Sequence, residues 1–104
     1  MPAAASSARL APGQFDRIAK ALADPQRFAL LEAIAGSNEC ACQRLRQRFP
    51  VSKATISHHA KELMQAGLVE AERDGQFVHY RVCRDVLEAY SAELLARLHA
   101  QRHP

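Results

Sequence analysis

The sequence predicts a mainly α domain carrying one β-hairpin, the winged helix-turn-helix arrangement, on three observations. Two helical apolar patterns are separated by the short break Phe49-Pro50-Val51, as in a helix-turn-helix. Two extended runs follow at once on either side of Asp74-Gly75, as in a hairpin. A long amphipathic stretch then closes the domain and brings the expected helices to about five.

Each element has a local cause. Residues 1–13, MPAAASSARLAPG, have no periodicity and read as a disordered arm. From Gln14 onward, Phe15, Ile18, Ala19 and Leu22 recur at helical spacing and give a short first helix. Asp24-Pro25 stops it and starts a second, because Asp at an N-cap accepts orphan N–H groups and Pro at N1 has none to lose. Phe28, Leu31, Ile34 and Ala35 form the apolar stripe of that helix, and Gly36 closes it. After the connector Ser37-Asn38-Glu39, a third helix is expected from about Ala41 to Arg48, with Leu45 and Phe49 facing inward.

Pro50 interrupts it, and Ser52 caps a fourth helix whose inner positions are Ile56, Ala60 and Leu63 and which ends at Gly67. Leu68–Arg73 and Gln76–Val82 are the hairpin strands, and a hairpin directly after a helix-turn-helix is a wing. Val86, Leu87, Tyr90, Leu94 and Leu98 make the last helix, from about Asp85 to Ala100, and residues 101–104 are a tail. The domain proper is therefore residues 14–100.

With 104 residues, 48% of them hydrophobic and 24% charged, the chain is one domain with an adequate core. Its net charge of +3 suits a polyanionic partner, but the position of the charge has to decide. No apolar run approaches membrane-spanning length, and the first residues lack the apolar core of a secretory signal. The three cysteines, Cys40, Cys42 and Cys83, are an odd number without such a signal, which points to a reducing cytoplasm. No Cys-x-x-Cys within a βαβ pattern, no Gly-rich loop and no paired carboxylates suggest enzyme chemistry.

The fourth helix carries the chemistry of a groove reader. Advancing about 100° per residue from Ile56 puts Ser52, His59, Ala60 and Leu63 on or near the buried side. Ala54, Ser57, His58, Lys61 and Gln65 fall opposite. That outer face offers hydroxyl, imidazole, ammonium and amide groups and no carboxylate, with Glu62 at its edge. Small and polar groups of this kind suit base edges and phosphates of a major groove. Lys53 and Thr55 sit in the first turn, where the helix end itself attracts phosphate. Arg73 and Gln76 flank the wing tip, within reach of backbone or minor groove. Arg44, Arg46 and Arg48 are candidates for further phosphate contacts. His59, near the buried side, reads as a structural histidine, and His58 as the better reader.

These residues resemble the ArsR (ArsR/SmtB) family of bacterial winged-helix repressors. LADPQRFALLEAI is similar to the family's second-helix entry. VSKATISHHAKELMQAGLVEAERDGQFVHYRV is similar to its recognition helix and wing, including the Ser-x-His of Ser57 and His59 and the hairpin ending in Tyr80-Arg81. The match runs from about Phe15 to Tyr90. The resemblance implies a homodimer joined by the first and last helices, and repression relieved when an inducer weakens DNA binding. Phe15, Ile18 and Leu22, with Leu87, Tyr90, Leu94 and Leu98, are then the expected dimer contacts, and double-stranded DNA with a near-palindromic operator the expected partner.

Family members that sense metalloids carry a Cys-x-Cys pair at the start of the third helix, the place of Cys40-Ala41-Cys42 here. Two thiolates suit As(III), Sb(III) or Cd(II). The third cysteine of the arsenic-type pattern would fall at Leu45 and is absent, so Cys83 or the other subunit would have to complete the set. A redox switch between Cys40 or Cys42 and Cys83 is the alternative use of these thiols, and a structural role the third. The family's zinc and nickel pattern is broken: Asp85 is in place, but Leu87, Leu98 and Gln101 stand where His or an acid is wanted. His99 and His103 share a face at the chain end and read as solvated. A winged helix used only to bind protein is the rival of another class, and would call for a more apolar or acidic face than Ser57, His58 and Lys61 provide.

Overall fold

The computed structural model describes residues 9–36, 40–41, 45, 47, 49 and 51–100. Its elements are α1 (Gln14–Leu22), α2 (Pro25–Ala35), β1 (Cys40–Ala41), α3 (Lys53–Gln65), β2 (Val69–Asp74), β3 (Phe77–Val82) and α4 (Arg84–Ala100). Four helices thus form among the described residues, rather than about five. The expected helix at 41–48 falls largely outside them, although Leu45 and Gln47 are helical. Its expected first residue is not helical: Cys40 and Ala41 pair antiparallel with Tyr80 and His79. β3 is therefore the central strand of a three-stranded sheet, ordered β1-β3-β2.

The caps follow from the residues. Asp24 Oδ1 accepts from the backbone N–H groups of Gln26 and Arg27 at 2.9 and 3.0 Å, with Pro25 in the first turn. Ser52 Oγ accepts from Thr55 N–H at 3.1 Å. At the other end of α3, Leu68 N–H donates to Leu63 O and Gly67 N–H to Met64 O. This is the two-bond Schellman closure, and it needs a left-handed residue at Gly67, where φ is +83°. The hairpin turn is Gly75-Gln76, one residue later than Asp74-Gly75, because Asp74 still pairs with Phe77. Gly75 has φ +63° and Gln76 does not have a positive φ, as in a turn with glycine at the first central position.

The core lies where α1, α2, α3 and the base of the hairpin meet. Ile18, Ile34, Leu45, Ile56, Leu63 and Leu68 are its fully buried large side chains, each contributing roughly 1.5–3 kcal/mol by burial. Three expectations shift. In α1, Ala21 is buried and Ala19 exposed. In α2, Leu30 and Ala33 join Leu31 and Ile34 inside, whereas Phe28 is 43% exposed. Ile18, expected at the dimer contact, is instead wholly buried within its own chain, where it holds α1 to the core. Upstream of Gln14, Leu10 packs against the core and Ala11 N–H donates to Gln14 Oε1 at 2.8 Å, so packing begins before the expected domain start.

Gln14 also donates through Nε2 to Ala66 O at 2.9 Å, filling an orphan carbonyl at the end of α3. A Cβ on Gly67 would lie 2.5 Å from that Nε2. Gly67→Ala is therefore expected to cost about 1–3 kcal/mol from the left-handed backbone, plus the displaced Gln14 bond. In urea denaturation, Gln14→Ala should be less damaging in the Gly67→Ala background than in wild type, because the contact is already lost.

Candidate nucleic-acid interface

Two faces of α3 do opposite things. Ile56, His59, Ala60 and Leu63 are buried, while Lys53, Ala54, Ser57, His58, Lys61 and Gln65 are exposed. The exposed set holds no carboxylate, and Glu62 is half-buried at its edge. Lys53 and Lys61 form no ion pair among the described residues. Ser52, expected near the buried side, is exposed at the cap. Its hydroxyl lies 3.0 Å from Thr55 Oγ1, so both of these candidate residues also build the helix start.

The buried face is polar at one point. His59 Nε2 lies 3.0 Å from Gln26 Oε1, and Arg27 Nε donates to His59 Nδ1 at 3.4 Å. Arg27 reaches on to the Ala21 carbonyl at 3.5 Å and lies 4.0 Å from Asp24 Oδ2. The structural role expected for His59 is the one observed, but its partners, more than thirty residues away, carried no sequence signal. Beside the end of α3, a cleft of about 370 Å³ is lined by Asp16, Arg17 and Lys20 of α1, by Arg27, and by Glu62 and Gln65. The sequence reading passed over Arg17 and Lys20, since an exposed helix face alone does not show what it faces.

In the wing, register sorts the charge. Glu70, Glu72 and Asp74 pair with Arg81, His79 and Phe77 on one face, and Arg73 pairs with Val78 on the other. Glu70 and Arg81 are bonded at 2.8 Å. Glu72 and Asp74 keep that face acidic, while Arg73 stands on the opposite one and Gln76 in the turn. The strict alternation in VEAERD was the available signal.

Leu22, Leu87, Tyr90 and Leu94 are half-buried. Phe15 packs on Tyr90 with ring centroids 4.9 Å apart, and the Arg97 guanidinium lies 3.9 Å over the Phe15 ring. Leu95 and Leu98 are 52% and 58% exposed, leaving an apolar strip along the far half of α4.

Of the three cysteines, Cys83 alone has its side chain among those described. Cys42 lies outside them, as do Arg44, Arg46 and Arg48. No group of three His, Cys, Asp or Glu suited to a metal gathers among those described. Cys40 stands opposite Tyr80, three residues before Cys83. That is about 10 Å along the strand, beyond the roughly 7 Å Cα separation that a disulfide tolerates. Burial pushes the Cys83 thiol up, Glu70 and Asp85 push it further, and Arg81 opposes them, so it stays protonated.

A helix-turn-helix reading head with a hairpin wing, and an apolar strip for a partner, defines the class of winged-helix DNA-binding proteins. A helix-turn-helix domain family matches residues 22–72. The chain is 34% identical to the transcriptional repressor SdpR of Bacillus subtilis (strain 168), over 70% of this chain and 80% of that one. It is 31% identical to an arsenical resistance operon repressor of Staphylococcus xylosus, over 78% and 77%. The homodimeric winged helix-turn-helix DNA-binding domain of a Mycobacterium bovis protein superposes with a TM-score of 0.66 at 30% identity, covering 88% of this chain and 85% of that one. The chain belongs to the ArsR family of winged helix-turn-helix transcriptional regulators. It is a DNA-binding regulator of the repressor type.

The Asp24 cap joins the support of α3 to the start of α2. The Arg27 backbone N–H holds its carboxyl below the usual 3.8; burial opposes this, and the Gln26 N–H, the His59 ring and the Arg27 guanidinium add to it. The cap's contribution is thus complete above the unfolded value and is lost as pH falls through the lowered folded one. Thermal unfolding should show Asp24→Ala melting below wild type at neutral pH, with the gap closing as pH falls below the ordinary carboxylate range.

Proposed function

We propose that two copies of this chain set their α3 helices into successive major grooves of a near-palindromic operator and block transcription until an inducer releases them. The observation that carries this is the division of α3 into a fully buried face and an exposed face without a carboxylate. In this reading Ala54, Ser57 and His58 meet base edges. Ser52, Lys53, Thr55 and Lys61 meet phosphates, and Arg73 and Gln76 meet backbone or minor groove beside the wing. The strip of Leu94, Leu95 and Leu98, with Phe15, Leu22, Leu87 and Tyr90, is the dimer seam, supported by the homodimeric neighbour. Such a dimer spaces its reading helices by roughly 34–36 Å, one turn of duplex. No helix among the described residues is long and apolar enough to cross a membrane, and a cytoplasmic place of action suits the reading.

The arsenical resistance relative supports a metal or metalloid inducer. As(III), Sb(III) or Cd(II) held by Cys40 and Cys42 suits thiolate chemistry. A thiol redox signal through Cys40 or Cys42 is the second reading.

Fluorescence anisotropy on a duplex from the region upstream of the chain's own gene tests the DNA contacts. Lys61→Ala should weaken binding to every duplex and flatten its salt dependence. The Ser57→Ala and His58→Ala changes should each cost about 1–3 kcal/mol at the cognate site and blur its preference. A Ser57/His58 double variant that binds as wild type does, with the same preference, rules this assignment out.

Leu94→Glu should sediment as a monomer and bind the operator poorly. For induction, As(III), Sb(III), Cd(II), peroxide and polysulfide should be compared on wild type and on Cys40→Ser/Cys42→Ser. Release of wild type alone by one of them assigns sensing to the pair; no release of wild type by any of them makes the pair structural.

A further inference from the structure

Behind the outward face of α3 lies a polar seam that DNA does not touch. His59, 8% exposed, is the only buried polar side chain among the described residues. Its two ring nitrogens face partners of opposite demand: Arg27 Nε at 3.4 Å and Gln26 Oε1 at 3.0 Å. A guanidinium only donates, so Nδ1 has to accept. The ring's proton then sits on Nε2, where Gln26 Oε1 receives it. One neutral tautomer satisfies both partners, and neither the other tautomer nor the imidazolium does.

We propose that His59 is a positioning residue for operator recognition: as the neutral Nε2–H tautomer it fastens the reading helix to the start of α2, and protonation at Nδ1 loosens α3 and weakens operator binding. The inference rests on α3 being the DNA-contacting helix.

The charges around the ring set the sign. From α2, the Arg27 guanidinium faces Nδ1, with Asp24 Oδ2 behind it, 4.0 Å from Arg27 Nη2. From α1, the Ala21 carbonyl accepts from Arg27, and Arg17 and Lys20 line the cleft beside it together with the carboxylates of Asp16 and, from α3, Glu62, so the cleft is of mixed charge. On α3 itself, the His58 ring stands 5.9 Å away. A proton on Nδ1 sets N–H against N–H and cation against cation. The Asp24 carboxylate attracts the charged ring, but it cannot make Nδ1 an acceptor again, so the N–H of Arg27 is left facing an N–H. The ring has to leave Arg27, and Ser57, His58 and Lys61 lie within two residues of it on the same helix. His58 works in the opposite sense: exposed on the DNA side, its protonation adds a cation facing phosphate and tightens binding. In wild type the two rings oppose each other on acidification.

Removing His58 first separates them. Anisotropy with the full chain and the upstream duplex, at constant ionic strength, would compare His58→Asn with His58→Asn/His59→Asn at about pH 7.5 and about pH 5.5. Asparagine at 59 keeps an amide oxygen as acceptor for Arg27 and does not titrate. The single variant should lose about threefold or more of its affinity on acidification, and the double variant should lose clearly less. His79, His99 and His103 are common to both, so the difference belongs to His59. Equal pH dependence in the two proteins overturns the proposal.

Should the double variant fail to fold, the long-range ¹H–¹⁵N imidazole spectrum of wild type decides: a proton on Nε2 of His59 is expected, and a neutral ring protonated on Nδ1 overturns the proposal. If Lys61→Ala changes neither affinity nor salt dependence, the reading of α3 has failed instead, and the spectrum still reports the tautomer.

Discussion

Burying one side of α3 without covering the other is the constraint from which the remaining structure follows. A helix left open along half its circumference gets all its support from the other half. Ile56, Ala60 and Leu63 are almost wholly removed from solvent on that side, against the cluster that includes Ile18, Leu31, Ile34, Leu45 and Leu68. The helix is short, so few apolar contacts are available, and each has to be complete. Leu68 and Val69 continue the same buried surface into the base of the hairpin, which is why the wing leaves the core at a fixed place.

Apolar contact holds α3 to the body but tolerates sliding, since burial is nearly indifferent to small displacements. Directional bonds remove that freedom. Gln14 binds the Ala66 carbonyl at the C-terminal end, Ser52 closes the N-terminal end, and His59 engages Gln26 and Arg27 between them. A net hydrogen bond adds only about 1 kcal/mol to stability, so their larger effect is on where the helix sits. Two of the three come from α1 and α2, the elements that build the core with it.

What was legible in the sequence was local. Asp24-Pro25, Ser52 and Gly67 mark helix ends because a cap involves residues within one turn, and the hairpin announces itself by alternation around a glycine. The outward face of α3 was legible from angular position alone, because Ile56, Ala60 and Leu63 fix its inner side. The misses were contacts between distant residues. Gln14 and Ala66 are 52 positions apart, and neither residue type hints at the other. Phe28 shares a helical stripe with Leu31 and Ala35 by spacing, yet α2 buries the adjacent pairs Leu30-Leu31 and Ala33-Ile34, a broad face that a single stripe does not capture. Cys40-Ala41 became a strand because β3 offered an open edge, a fact of the sheet that two residues cannot show.

That two-residue strand changes how a disturbance upstream of the helix-turn-helix would spread. Cys40 and Ala41 are riveted to Tyr80 and His79, and Tyr80 in turn sits against Ala71 on the far side of β3. The sheet is thus a short mechanical truss laid crosswise to the chain. A tug on the backbone at Cys40 loads the hairpin sideways through these rungs, while the covalent route to α3 runs through a further dozen residues. The wing, not the reading helix, is the first lever such a force would move.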